Sequence, residues 1–154
     1  MNQESGRIVV VGCGKHLASD ESVGLEVVTQ LRRTPGHICE VFDCQSISPI
    51  FVSDLPANAV LIFVDGMRTG SRPGTIRGIN LQAGTKPSLP IRSEVEMLLN
   101  RASRIPQVYF IGIEIEKWDP GVGITSGVHA AALEVVRELA KLNGEGQPKL
   151  PFFT

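Results

Sequence analysis

The segment GRIVVVGCGKHLASDESVGLEVVTQL, residues 6–31, decides the architecture. Arg7 to Gly12 is a continuous apolar run rich in β-branched residues and stopped by glycine, the pattern of a strand buried on both faces. From Asp20 to Arg33 the residues Val23, Val27, Val28 and Leu31 recur at helical spacing, with Ser19 in the N-cap position and Arg32 and Arg33 in the last turn. A buried strand, a glycine loop and a helix form the opening unit of a parallel sheet, which needs helices on both of its faces.

The rest of the chain repeats this pattern. Ile38 to Asp43 and Ala59 to Asp65 read as the second and third strands, with a short helix in ISPIFVSDL between them. TIRGINL reads as a fourth strand after a proline and glycine turn, residues 93–102 as a helix, Gln107 to Ile113 as a fifth strand, and Ser126 to Leu142 as a closing helix. The expected fold is a three-layer α/β/α sandwich on a mostly parallel, five-stranded twisted sheet, of the phosphorylase/hydrolase-like kind. Residues 1–154 read as one domain with a core over 7–142 and a loose tail over 143–154.

Composition removes several function classes. The formal net charge of -1, with no run of like charges, offers nothing to nucleic acid or to an anionic membrane surface. No stretch approaches the roughly 18 apolar residues of a membrane span, and MNQESGR lacks the apolar core of a secretion signal. Cys13, Cys39 and Cys44 are odd in number and lack CxxC spacing, which fits a reducing compartment and a cytoplasmic protein.

In an open parallel sheet, ligands sit outside the carboxyl ends of the strands. Cys13, Lys15, His16 and Glu21 follow the first strand, Asp43 and Cys44 end the second, and Asp65 ends the third, so all are expected at one rim. GCGKHL begins like a dinucleotide-binding turn, but Leu17 stands where the third glycine belongs, and Asp20 and Glu21 would repel a pyrophosphate at the helix start. A phosphoribosyltransferase loop in VLIFVDGMRTG lacks the required acidic pair. One of Asp20 and Glu21 is explained by the helix dipole alone; a further acid, Asp65, at the end of the central strand faces the same rim, and oxygen ligands converging there point to a divalent metal.

These residues resemble the hydrogenase maturation endopeptidases. The first motif of that family, GxGNxLxxDDxxG or its DE variant, is matched by Gly12, Gly14, Leu17, Asp20, Glu21 and Gly24. VLIFVDGMRTGSRPGTI is similar to the family's strand ending in an acid followed by a PGT turn, Pro73 to Thr75, and YFIGIEIEKWDPGVGITSGVHAAALEVV to its last strand, loop and helix. The resemblance spans roughly residues 7–140. It implies a peptidase, of aspartic type with nickel-dependent recognition, that clips the C-terminal extension of a nickel-iron hydrogenase large-subunit precursor after nickel insertion. It also implies metal recognition by Glu21 and Asp65, the nickel being supplied by the substrate.

The histidine that completes the family's site has no counterpart near KPSLPIRSEVEMLL, where Ser88, Leu89 and Pro90 stand; Lys15 replaces the usual asparagine, and DCQS replaces a glycine-glycine-threonine turn. His16, in the loop before Glu21, is the expected third metal ligand, with Cys13 and Cys44 as softer candidates. The span from Gly66 to Pro90, carrying Arg68, Arg72, Arg77 and Lys86, is expected either to fold over the cleft and grip the substrate tail or to form a long solvated loop around the short fourth strand. The alternative is a non-cleaving member of the fold, acting as a maturation chaperone or regulatory partner; a small-molecule enzyme reusing the sheet is a third reading.

Overall fold

A computed structural model describes residues 6–82, 86–121, 123–145 and 147–153. Five strands, β1 (Ile8–Gly12), β2 (Glu40–Asp43), β3 (Val60–Met67), β4 (Ile76–Asn80) and β5 (Gln107–Glu114), form one sheet in the order β2-β1-β3-β5-β4. All neighbours pair in parallel except β4, which runs antiparallel to β5. The helices are α1 (Val23–Arg33), α2 (Pro49–Asp54), α3 (Ser93–Arg101) and α4 (Ser126–Ala140).

Side chains alternate across the strands, so each strand feeds two cores. Val10, Ile62, Val64 and Ile111 pack against α1 and α4 through Val27, Leu31, Val135 and Leu139. Val9, Val11, Leu61, Phe63 and Phe110 pack on the other face against α2 and α3 through Val52, Val95 and Leu98. The three-layer sandwich expected from the apolar strands is therefore present, and no helix among the described residues is long and apolar enough to cross a membrane.

The opening glycines serve packing. A Cβ on Gly24 would lie 2.0 Å from the Cys13 carbonyl oxygen and 2.3 Å from that of Val64, and one on Gly12 would lie 2.3 Å from the Gly24 oxygen. The first turn of α1 thus rests directly on the ends of β1 and β3, where the Cys13 N–H donates to Val64 O at 2.8 Å.

Two expectations are corrected. Ser19 does not cap α1: it lies in a 3-10 turn, Ser19–Ser22, at φ +50°, and its hydroxyl donates to Asp119 O at 2.9 Å. The tail is not loose either. Leu150 and Phe152 are buried, Phe153 stacks on Tyr109 at 4.7 Å, and the Gly78 N–H donates to Phe152 O at 2.8 Å. Three apolar side chains within a polar, glycine- and proline-containing segment find their partners on β4 and β5 and so cover the antiparallel edge of the sheet.

Asp20 anchors the loop that leads into α1. It is fully buried and accepts from the N–H groups of Glu116 and Lys117, both at 2.9 Å, from the Thr125 N–H at 2.8 Å and from the Thr125 hydroxyl at 2.9 Å. Burial by itself would raise its pKa; the donors from Lys117, Thr125 and Glu116 outweigh burial and hold the carboxyl below the usual carboxylate range. A depressed pKa stabilises the fold above the unfolded-state value of about 3.9 and loses that contribution as pH falls through the folded value.

Asp20→Asn is accordingly expected to cost about 2–4 kcal/mol at pH 7. Urea titrations of both proteins at descending pH should show the gap narrowing below pH ~4. Gly24→Ala, which in an ordinary helix would stabilise by about 1 kcal/mol, should here destabilise by about 3 kcal/mol. Thermal melts of this variant beside the wild type decide the sign.

Candidate functional site

β1 feeds α1 on one face of the sheet, while the neighbouring β3 leads toward the β4 and α3 side. A crevice therefore opens at the carboxyl ends of β1 and β3. Its cavity, about 230 Å³, is lined by Glu21, Asp65, Gly66, Met67, Arg68, Pro90, Ile91, Arg92 and Ile115. The two carboxylates expected at the site are thus brought to one cleft.

Their settings differ. Asp20 turns inward to its four donors, while the adjacent Glu21, half-buried, turns to the cleft; its carboxylate accepts no hydrogen bond among the described residues. Asp65 shares the face of Leu61 and Phe63, and its side chain is 4% exposed. Burial pushes its carboxyl above the ordinary range, opposed by Arg92 and by the Gly66 N–H, which donates to Oδ1 at 2.8 Å, and reinforced by the nearby Glu21.

Arg92 is the residue that sequence reasoning missed. Its Nε donates to Asp65 Oδ2 at 2.8 Å and its Nη2 to Oδ1 at 3.2 Å, a two-pronged contact across 27 positions of sequence. The pairing in turn raises the pKa of the guanidinium, which stays charged. Arg92 lies one residue before α3, in the short stretch where the resemblance leads one to expect a histidine. The only signal available in the sequence was a lone cation at a helix entry.

The remaining expected ligands go elsewhere. His16 is exposed on the loop after β1 and does not line the cleft. His37 is held away from the cleft, its Nδ1 accepting from the Cys39 N–H at 3.1 Å and its Nε2 lying 2.8 Å from Leu31 O; His129 is exposed on α4. Asp43 faces Arg32 at 3.5 Å. Cys13 is fully buried, and the neighbouring Cys44 together with burial raises its thiol, while Cys13 in turn lowers that of Cys44. Arg68 stands over the Trp118 ring at 4.7 Å, at the mouth of the cleft.

A third buried acid, Glu114, is structural. Thr69 donates to it through both its N–H, at 2.8 Å, and its hydroxyl, which fixes the loop that carries Arg68. The PGT turn continues this lock, with the Gly74 N–H on Glu114 O and the Thr75 hydroxyl on Arg72 O.

These donors do not fit a resident metal ion. Among the described residues no three His, Cys, Asp or Glu side chains converge to hold one, every buried side-chain nitrogen and oxygen has a partner, and both Asp65 oxygens are engaged by Arg92.

No family model and no curated protein matches the chain. Solved structures do. The hydrogenase maturating endopeptidase HybD from E. coli superposes with a TM-score of 0.68 at 23% identity, over 86% of this chain and 89% of that one. The endopeptidase HycI from Escherichia coli gives 0.69 at 20% identity, over 94% and 98%. The [NiFe] hydrogenase maturation protease HycI from Thermococcus kodakarensis gives 0.64 at 19%, over 88% and 90%. The chain therefore has the fold of the hydrogenase maturation endopeptidases, along nearly its whole length.

Proposed function

We propose that this protein is a cytoplasmic endopeptidase that removes the C-terminal extension of a nickel-iron hydrogenase large-subunit precursor after nickel insertion. The observation that carries the reading is the shared cleft of Glu21 and Asp65 at the topological switch point, on the fold of the maturation endopeptidases. In this reading the nickel is brought by the substrate and met by Glu21 and Asp65. Glu21, the carboxylate with no donor of its own among the described residues, is the group placed to take a proton from the attacking water. Asp65, buried and raised, orients the substrate's metal-bearing end. The Arg68 and Trp118 pair at the mouth flanks the path of an extended polypeptide.

One observation favours a second reading. Both Asp65 oxygens are held by Arg92, as suits a protein that binds a precursor without cleaving it, whether as chaperone or regulatory partner.

The deciding experiment mixes the purified protein with a nickel-loaded precursor and follows loss of the C-terminal peptide by intact mass. Nickel-dependent cleavage that falls at least about 100-fold in Glu21→Gln and Asp65→Asn supports the protease. Stable complexes without cleavage, across several precursors, would reject it in favour of the binding protein. Stability separates the acids further: Asp65→Asn removes a charge whose ionisation burial disfavours but leaves the Arg92 guanidinium without its counter-charge, so at pH 8 it should melt closer to the wild type than Asp20→Asn does. A large loss of melting temperature would mark Asp65 as a structural acid.

A further inference from the structure

The Arg92 side chain stands between two cavities. On one side is the cleft with Glu21 and Asp65; on the other is a cavity of about 220 Å³ lined by Cys44, Gln45, Glu94, Met97 and Arg101. Glu94, in the first turn of α3, faces this second cavity and is an alternative anion for the same guanidinium. The two partners of the Asp65 pair are unequally placed. Arg92 is 28% exposed and precedes its helix on extended backbone, whereas Asp65 is 4% exposed and fixed on β3. Arg92 can leave for water and Glu94; Asp65 can only accept what enters the cleft.

We propose that Arg92 is a displaceable counter-ion that denies Asp65 to free divalent cations and yields it to a cation delivered with bound polypeptide, swinging toward Glu94. The proposal rests on the reading of Asp65 as the metal-facing group. A free ion would have to break a two-pronged, charge-assisted contact to gain two carboxylates, a poor set for nickel without imidazole or thiolate. A cation arriving with its own ligands on a docked chain acts at high effective concentration and brings the coordination that the cleft lacks. Arg92 thereby sets specificity for a loaded precursor over the ion alone, and its permanent charge makes the block independent of pH in the neutral range.

Titration calorimetry with nickel chloride and with cadmium chloride at pH 8, without any precursor, tests this on the full chain. Arg92→Gln is expected to bind either ion at least about tenfold more tightly than the wild type, and the double variant with Asp65→Asn to lose the gain. Arg92→Lys, which keeps the charge but not the fork, should fall between. It decides the matter alone if circular dichroism shows Arg92→Gln unfolded: binding tighter than wild type supports the counter-ion. Wild-type binding as tight as that of the folded Arg92 variants overturns the proposal, as does a gain that survives loss of Asp65. Because the readout needs no cleavage, failure here is distinguishable from failure of the protease reading.

Discussion

The buried carboxylate of Asp20 is the constraint on which the site depends. Four donors from the 116–125 loop converge on it, and the backbone around it is zipped to the same loop, with the Ser19 N–H on Gly121 O, the Gly121 N–H on Leu17 O and the Asp20 N–H on Lys117 O. These bonds hold Leu17 and Ser19 at positive φ, a conformation that non-glycine residues avoid unless their surroundings impose it. The consequence is orientation: with Asp20 committed inward, the next residue of the 3-10 turn, Glu21, presents its carboxylate to the cleft.

Three acids are buried at this end of the sheet, and their partners assign them different work. Asp20 and Glu114 receive neutral N–H and O–H donors, the arrangement of carboxylates that fasten loops. Asp65 has one backbone donor and otherwise a partly exposed cation, and burial prevails over both in raising it. An acid whose ionised form is disfavoured by its site, yet is held by a displaceable partner, is poised to exchange that partner.

How much of this the sequence disclosed follows from the range of the interactions. The sheet was legible because continuous apolar runs, here Ile8–Gly12 and residues 60–64, have few alternatives to a strand buried on both faces. Asp65 was legible because strand ends place residues at a predictable rim. The division of labour between Asp20 and Glu21 was not, because it depends on a 3-10 turn stabilised from about a hundred residues away. Arg92 was hidden for the same reason, as no local pattern links a residue before α3 to the end of β3. The tail misled through its composition: glycine, proline and lysine masked the two phenylalanines that close the sheet edge.

The Arg92 fork supplies a cation from the short stretch before α3, where the resemblance leads one to expect a histidine. A cleft with two carboxylates and no imidazole, left with nothing between them, would set Glu21 and a buried Asp65 against each other, since like charges in a low-dielectric site raise the cost of ionising both. A divalent ion resolves that repulsion where a third ligand retains it. Here a guanidinium offsets it instead, from the same short stretch before α3, on the Asp65 side of the cleft. What enters such a cleft must therefore outcompete an internal cation for both oxygens of Asp65, which a ligand with its own coordinating groups does more readily than a hydrated ion.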